Sequence, residues 1–353
     1  MKALVYKGIG NIEVIEKEAP TCGPNDVIVK TVRSGICGSD ITAYRFGGEK
    51  MQIFSGHEFG HEMVGYVCMA GDNVKGIETG TRVFVDPNRC TPDPYAANMA
   101  GAFSQYVRVC NAELDFNLYK LPEDLSYDDA VLIEPFSVAT HGKNRASTKP
   151  DENVLIIGAG TIGLCALGSL IAQGNKNVVV LDIDDKRLRL AEKMGGIGFN
   201  TQDGFDITMK FLEEYFGVMS NTNHRLGFQD GKMTVTPNSV INVDVVIDCA
   251  GIDGFVDEFL KHAKQHARYC CIAMHKKSIP ISFHEVMSTQ CSLIGSRGYE
   301  KTDIEEVIAN LTNKKSKVTE IITHKYSLLD AKQAFETAVQ PAQAIKVVLD
   351  MSA

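Results

Sequence analysis

Residues 154–182 read VLIIGAGTIGLCALGSLIAQGNKNVVVLD, and this stretch decides the fold. The apolar run VLII precedes a glycine-rich turn, a helical stretch follows at 161–173, and VVVLD closes the segment. The turn has the spacing GxGxxG at 158–163, and Asp182 lies 19 residues after Gly163. In a chain with 31 glycines the spacing alone is weak evidence. A strand before it, a helix after it and a second strand ending in an acidic residue supply the context that a dinucleotide-binding turn requires.

Each glycine of the turn has a separate physical task. Gly158 permits the tight turn, Gly160 lets a pyrophosphate approach the backbone, and Gly163 lets the helix pack closely on the strand. The free N–H groups at the helix start would then face the pyrophosphate. The Asp182 carboxylate can accept hydrogen bonds from the ribose hydroxyls and would repel a 2′-phosphate, which favours NAD over NADP. The cofactor-binding residues predicted here are Gly158, Gly160, Thr161, Ile162, Gly163, Asp182 and Arg187.

Strands and helices continue to alternate downstream of this segment. A helix is predicted at 185–194, a strand at VDVVIDCAG, a helix at 254–266 and a strand at YCCIAM. Such alternation is typical of a doubly wound parallel sheet in an α/β protein. Cys249 follows one of these strands, so its backbone is expected to border the nicotinamide side of the cofactor. The polar, turn-rich residues 217–242 interrupt the pattern and are interpreted as a surface insertion.

The rest of the chain has a different texture. Residues 1–36 and 64–110 consist of short β-rich pieces separated by Pro, Gly, Asn and Asp. Ser126 is a plausible N-cap for a helical segment at 126–146. Two domains are therefore predicted: residues 1–147 together with 292–353, and residues 148–291 between them.

Composition excludes several classes of function. A net charge of −8 without a Lys/Arg-rich block disfavours nucleic acid and anionic membranes as partners. Residues 154–172 are uncharged and long enough to cross a bilayer, but their glycines favour a buried strand–turn–helix. The ten cysteines contain no CxxC pair, which is typical of reduced thiols. Without a recognisable signal peptide, a cytoplasmic location is expected.

Residues 37–65, CGSDITAYRFGGEKMQIFSGHEFGHEMVG, contain one cysteine and two copies of Gly-His-Glu. Cys, His and Glu are donors that Zn²⁺ accepts in catalytic sites. Residues 57–61 also spell HEFGH, the HExxH pattern of zinc proteases, which works only on a helix. Nearby glycines at 56, 60 and 65, and the strand-like MVGYVCM that follows, disfavour a helix and therefore a protease.

Four motifs occur in the chain: Cys37-Gly38-Ser39-Asp40, GHEMVGYV at 60–67, LIEP at 132–135 and the dinucleotide fingerprint. In these motifs and their order, the chain resembles the zinc-dependent medium-chain dehydrogenase/reductase family. The match is most similar to the polyol (sorbitol-like) dehydrogenase branch. The resemblance implies a β-rich, GroES-like catalytic domain and a Rossmann coenzyme domain. It also implies one set of site residues. Cys37 and His61 hold the zinc, and the carboxylates Glu62 and Glu134 near it bind directly or through water. The Ser39 hydroxyl bonds the substrate oxygen and starts the proton relay, and Arg297 contacts cofactor or substrate.

The implied activity is reversible, NAD-dependent oxidation of a secondary alcohol, with a polyol or sugar alcohol favoured. A vicinal diol, a threonine-like amino alcohol and a bulky hydrophobic alcohol stay open as substrates. A zinc-free quinone-type reductase and a non-enzymatic binding protein are disfavoured by Cys37, His61 and Glu134 together. A homodimer or homotetramer is expected from the resemblance.

Two departures from the family pattern and one agreement with it lead to further expectations. The piece 86–107 contains only Cys90 where many relatives have four close cysteines, so one catalytic zinc and no structural zinc is expected per chain. Thr42 replaces a histidine found in many relatives, so the proton must leave by another route. The metal is assigned to the second Gly-His-Glu copy because Gly65, Val67, Gly71 and Val74 follow that copy at the spacing of the family. His57 and Glu58 are then a spacer.

Overall fold

The computed structural model describes residues 1–90, 101–229, 232–275 and 277–352, with the backbone alone described at 220–229 and 233–238. The chain divides into two compact units. The N-terminal unit comprises Met1–Ser137, Gly298–Lys315 and Thr319–Ala353, and the middle unit comprises Val138–Arg297 and Ser316–Val318. The helix Ile133–Arg145 passes through the first division. The predicted boundaries at 147/148 and 291/292 stay predictions.

The N-terminal unit is built mainly from antiparallel strands. A hairpin pairs β1 with β2, and a seven-stranded sheet has the order β16-β17-β3-β4-β5-β7, with β6 on β3. Phe59, Phe103 and Phe335 pack edge to face or tilted in its core, with ring centroids 5.0–5.8 Å apart. The strands are β1 (Lys2–Gly8), β2 (Asn11–Glu16), β3 (Val27–Gly35), β4 (Glu62–Ala70), β5 (Arg82–Val85), β6 (Tyr106–Val109), β7 (Leu118–Lys120), β16 (Ile322–Ser327) and β17 (Lys346–Asp350).

Helices of this unit flank the strands and begin where the sequence provides caps. The helix α1 begins after Cys37, and α2 begins after Ser126, whose hydroxyl accepts the Asp129 N–H at 3.1 Å, which confirms the predicted cap. The helices are α1 (Gly38–Phe46), α2 (Tyr127–Ala130), the beginning of α3 (Ile133–Arg145), α9 (Lys301–Thr312) and α10 (Ala331–Ala338).

The middle unit contains a six-stranded parallel sheet in the order β10-β9-β8-β13-β14-β15. If the six strands of this sheet are numbered 1–6 along the chain, their order in the sheet is 3-2-1-4-5-6. This is the Rossmann arrangement, so the predicted doubly wound fold is confirmed. The strand β8 is fully buried because helices cover both faces of such a sheet. The elements are β8 (Val154–Ile157), α4 (Thr161–Gln173), β9 (Val178–Asp182), α5 (Asp185–Lys193), β10 (Ile197–Asn200), α6 (Phe205–Phe216), β11 (Val218–Gln229), β12 (Lys232–Ile241), β13 (Val245–Asp248), α7 (Phe255–His262), β14 (Arg268–Cys271), α8 (Phe283–Thr289) and β15 (Ser292–Gly295).

The insertion at 217–242 contains regular strands that its polar, turn-rich sequence did not predict. Its backbone forms an antiparallel pair, β11 with β12, over most of its length. The interpretation from sequence missed the strands because ladder hydrogen bonds come from the backbone and do not require apolar side chains. The uncharged run at 154–172 divides into β8, a turn and α4, and no helix within the described ranges is both long and apolar enough to span a bilayer.

Candidate metal centre and dinucleotide turn

The turn after β3 fixes the position of Cys37. This residue caps α1, and its N–H donates to Asp40 Oδ2 at 2.9 Å, so the chain is bound back onto the first turn of the helix. Asp40 is completely buried. Burial raises the pKa of its carboxyl to about 6, although neighbouring His61 opposes the shift. Asp40 therefore provides a buried carboxyl close to the imidazole of His61.

His61 and Glu62 reach the same place because the chain bends before them. Gly60 has φ +91°, a conformation that favours glycine, and Glu62 is the first residue of β4. The donor atoms of Cys37, His61 and Glu62 all lie within 4.8 Å of one another. Burial lowers the pKa of His61, but the Cys37 sulfur, Asp40 and Glu134 together raise it well above its usual value. The three donor types and their spacing fit a zinc ion.

Lys346 is a component of this site that the sequence analysis missed. Its ammonium group bonds to Glu62 Oε2 and to the Ile36 carbonyl oxygen, the latter at 3.0 Å. Lys346 and Glu62 are each 1% exposed, so this is a buried ion pair. A Cβ on Gly35 would lie 2.0 Å from Glu62 Oε2, and glycine therefore leaves the space that the pair occupies. A lone lysine 284 residues from its partner carries no sequence signal.

Glu134, at the start of α3, is the second predicted carboxylate. It is 7% exposed, and burial raises its pKa to about 7, with His61 opposing and Glu62 adding to the shift. Burial, together with the negative charges of Glu134 and Asp86, raises the pKa of the buried Tyr299 well above its usual value. Among the described residues, Glu134 does not belong to the group of donors within 4.8 Å of one another.

The side chains of the first Gly-His-Glu copy form hydrogen bonds with nearby residues of the N-terminal unit. Glu58 is 6% exposed and accepts hydrogen bonds from Lys17 Nζ at 2.8 Å and Ser104 Oγ at 2.9 Å. His57 Nδ1 lies 3.2 Å from the Ser55 carbonyl oxygen. Residues 57–61 form no helix, so the geometry that HExxH needs is missing from this described segment.

Two hydroxyl groups on α1 differ in their bonding. Ser39 Oγ is buried and, within the described part of the chain, has no hydrogen-bond partner. Thr42 Oγ1 donates to the Gly38 carbonyl oxygen at 2.8 Å, within its own helix. Ser39 is therefore the hydroxyl that remains available to a ligand, since buried hydroxyls normally have a partner.

The dinucleotide turn of the middle unit fits a bound phosphate. A Cβ on Gly163 would lie 1.8 Å from the Gly158 carbonyl oxygen, so only glycine permits this approach of helix to turn. A Cβ on Gly160 would meet only Arg187 Nη1, at 3.7 Å, within 4 Å. The chain itself therefore does not demand glycine at 160, whereas a closely approaching pyrophosphate would. Thr161 and Ile162 begin α4, whose N-cap is Gly160.

Asp182 connects the second strand to the turn. Its Oδ2 accepts the Ala159 N–H at 2.6 Å, and its Oδ1 accepts the N–H groups of Ile183 and Asp184 at 2.8 and 2.9 Å. The carboxylate thereby fixes the glycine turn relative to β9. Both lone pairs of Oδ1 are thus occupied, and Oδ2 has a further lone pair for a ribose hydroxyl.

The remaining predicted cofactor residues lie at strand ends. The Cys249 N–H donates to the Ile157 carbonyl oxygen at 2.9 Å, just beyond β13, and burial beside Asp248 raises the pKa of its thiol well above the usual value. Arg297 follows β15 and is exposed. The roles of all these site residues stay predictions.

Comparison with known proteins identifies the family. Residues 23–123 match the alcohol dehydrogenase GroES-like domain, and residues 161–313 match the zinc-binding dehydrogenase family. The chain belongs to the zinc-dependent medium-chain dehydrogenase/reductase family. Two Saccharomyces cerevisiae relatives, D-xylulose reductase and sorbitol dehydrogenase 1, are each 28% identical, over 99% and 95% of this chain and 97% and 93% of their own. An Escherichia coli alcohol dehydrogenase solved with NADH is 26% identical, with a TM-score of 0.80 and 99% coverage of both chains.

Membership in this dehydrogenase family confirms the predicted fold, enzyme class and cofactors. The chain is an oxidoreductase of secondary alcohols that uses zinc and a nicotinamide dinucleotide. The expected absence of a structural zinc depends on the piece 86–107. Residues 91–100 of that piece lie outside the described range, so this expectation stays a prediction.

Proposed function

We propose that this dehydrogenase reversibly oxidises a polyol or sugar alcohol with NAD, at a zinc ion held by Cys37, His61 and Glu62. The observation that carries the proposal is the cluster of these three donors, together with the buried Ser39 hydroxyl that has no partner within the described residues. Glu134 adds a second carboxylate, which reaches the metal directly or through water.

Bound zinc supplies a Lewis acid that lowers the pKa of an alcohol, and NAD supplies the hydride acceptor. The chain positions the reactants and moves the proton. Ser39 Oγ accepts the hydrogen bond from the substrate hydroxyl, takes up its proton and passes its own proton on. Thr42 donates within its helix, so the next acceptor in the relay is a cofactor hydroxyl or water.

The charges around the cluster organise its ligands. Asp40 neighbours His61, and its negative charge helps to raise the pKa of the imidazole. Lys346 neutralises one carboxylate in a site that also contains the Cys37 sulfur and Glu134. A desolvated centre with several acidic groups would otherwise repel the electron-rich alcohol oxygen.

Asp182 is proposed to select NAD. Replacing Asp182 with alanine removes the ribose contact and the negative charge that repels a 2′-phosphate. The substitution also removes the hydrogen bonds that fix the glycine turn, so KM should rise for both cofactors. We expect the rise for NAD to be at least about tenfold larger than the rise for NADP, a difference of about 1.4 kcal/mol. Steady-state kinetics with both cofactors measure this. Equal losses for the two cofactors would reject the assignment.

Zinc binding is expected to depend strongly on pH. The pKa of His61 is raised well above its usual value in the metal-free protein, so zinc must displace a proton from the imidazole. Zinc affinity should therefore fall by about tenfold for each pH unit lowered through neutrality, for each proton displaced. Competition with a chelator at several pH values measures the slope. A flat profile would contradict displacement of a proton from the Cys37–His61 pair, and His57→Ala should retain the slope.

The substrate class is tested by a panel. NAD reduction should be fastest with a sugar alcohol such as sorbitol or xylitol, and slower with 2,3-butanediol, L-threonine and a bulky hydrophobic secondary alcohol. A preference for one of the latter compounds, in kcat/KM, would replace the polyol assignment while leaving the zinc chemistry intact.

We further propose that the enzyme is a cytoplasmic homodimer or homotetramer. Among the described strands, β15 is the last in the sheet order and pairs on one side only. Near it in the sequence, Phe283 and Met287 are 77% and 65% exposed. An open strand edge with apolar neighbours favours pairing with a second copy. Light scattering should give a molar mass of two or four times 38.6 kDa, and a monomer would reject this proposal.

A further inference from the structure

A second group of metal-binding side chains lies in the middle unit, at the carboxyl ends of β13 and β14. Asp248 and Cys271 are the last residues of these strands and are partners in their parallel register. His275 follows four residues after Cys271. One donor atom from each of the three residues lies within 4.8 Å of the other two. The group shares no residue with the Cys37 cluster.

Backbone contacts fix this group before any ligand arrives. The N–H groups of Ile272 and Ala273 both donate to the Asp248 carbonyl oxygen, at 2.9 and 3.0 Å, so the loop leading to His275 is bound to the end of β13. A Cβ on Gly251 would lie 3.6 Å from the His275 ring, and this glycine has φ +67°. The imidazole therefore packs over the loop that follows β13.

The distances suit a small tetrahedral ion. His275 Nε2 lies 3.1 Å from Asp248 Oδ2. Two zinc ligands at about 2.0–2.1 Å, separated by a tetrahedral angle, are about 3.3 Å apart, so small side-chain movements are sufficient. The Cys271 thiol is half-buried and donates only to the Ala273 carbonyl oxygen, at 3.4 Å, a weak bond that a metal can replace.

The Asp248 carboxylate faces one group that can become cationic, the His275 imidazole. The side chain is completely buried, and it accepts hydrogen bonds from Tyr269 Oη at 3.0 Å and from the N–H groups of Ala250 and Gly251 at 3.0 and 2.8 Å. Within the described residues no lysine or arginine pairs with it, and His275 Nδ1 has no hydrogen-bond partner. Buried carboxylates are typically paired with a cation or coordinate a metal.

We propose that Asp248, Cys271 and His275 form a second, exchangeable site for zinc or another thiophilic divalent cation. Thiolate, imidazole and carboxylate together select zinc and similar ions over Mg²⁺ or Ca²⁺. The site offers three protein donors, and Asp248 must share its oxygens with existing hydrogen bonds. It is therefore weaker than the catalytic centre, so the purified enzyme retains one tightly bound zinc and takes up a second when free zinc is supplied.

Cobalt(II) tests the site because cobalt–thiolate bonds give a charge-transfer band in the near ultraviolet. The full-length Cys37→Ser variant removes the thiolate of the catalytic centre, so a band in this background reports on another cysteine. We expect one equivalent of Co²⁺ to produce the band in Cys37→Ser and in Cys37→Ser/Cys68→Ser. The Cys68 thiol is a matched control, since it is also half-buried and donates to a carbonyl oxygen, that of Ile28, at 3.3 Å.

The band should disappear in Cys37→Ser/Cys271→Ser and weaken in Cys37→Ser/His275→Ala. In parallel, dialysis of the wild-type enzyme against excess free zinc should give about two zinc ions per chain, and His275→Ala about one. A band that persists without Cys271, or a ratio of two that persists in His275→Ala, would overturn the proposal. The outcome is independent of the catalytic assignment, because the cobalt experiment is done without the Cys37 thiolate.

Discussion

Replacing His61 with alanine is expected to remove both zinc and activity. The side chain supplies one of three clustered donors, and the other two cannot retain the metal without it. Elemental analysis should fall from about one zinc per chain to nearly none. The value of kcat/KM should fall at least about a thousandfold, because a catalytic metal contributes several kcal/mol and each 1.36 kcal/mol is a factor of ten in rate.

His57→Ala is the matched control, four residues upstream in the first Gly-His-Glu copy. Its ring Nδ1 lies 3.2 Å from the Ser55 carbonyl oxygen, and its neighbour Glu58 is held by Lys17 and Ser104. We expect this variant to retain its zinc and to keep kcat/KM within about threefold of wild type, since substitutions away from core features usually change little. If His57→Ala loses zinc and His61→Ala keeps it, the metal belongs to the first copy.

Replacing Lys346 with methionine should be strongly destabilising. Methionine fills a similar volume but leaves the Glu62 carboxylate buried without its cation. Removing one partner of a buried ion pair typically costs about 3–5 kcal/mol. Urea unfolding of the zinc-free protein, followed by circular dichroism because the chain has no tryptophan, measures the loss. Zinc must be absent because a bound ligand adds its own stabilisation.

Two further variants separate the buried pair from a general effect of losing a lysine. Lys346→Met/Glu62→Gln removes both charges and should recover most of the lost stability. Lys325→Met removes a half-exposed partner of Asp128 and should cost less than about 1 kcal/mol. If Lys346→Met is as stable as Lys325→Met, the Lys346 ammonium group does not stabilise the buried Glu62 carboxylate.

The sequence predicted the elements whose signal is local. Glycine spacing and apolar runs indicated a helix at 161–173, where α4 runs from Thr161 to Gln173. The strand after the second Gly-His-Glu copy and the Ser126 cap also depend on neighbouring residues, and both are present. Strand–helix alternation predicted the parallel sheet, whereas the order of its strands is seen only in the structure.

Long-range partners could not be predicted in this way. The Lys346–Glu62 pair joins residues 284 positions apart, and only the folded chain brings them together beside Gly35. The hairpin of β11 and β12 was also missed, because its polar composition concealed backbone pairing. The resemblance to a family, and not periodicity, indicated Ser39 and Glu134. The burial of the Ser39 hydroxyl oxygen and of the Glu134 side chain became apparent only in three dimensions.

Removal and restoration of zinc shows whether the metal is required for the activity. Purified enzyme should reduce NAD with a sugar alcohol, and it should lose at least about 99% of that rate when a chelator brings zinc below about 0.01 per chain, a loss of roughly 3 kcal/mol of transition-state stabilisation. The rate should recover when zinc, but not Mg²⁺, is returned. Circular dichroism of the zinc-free enzyme should show that it stays folded. Full activity in folded protein without zinc would contradict the account.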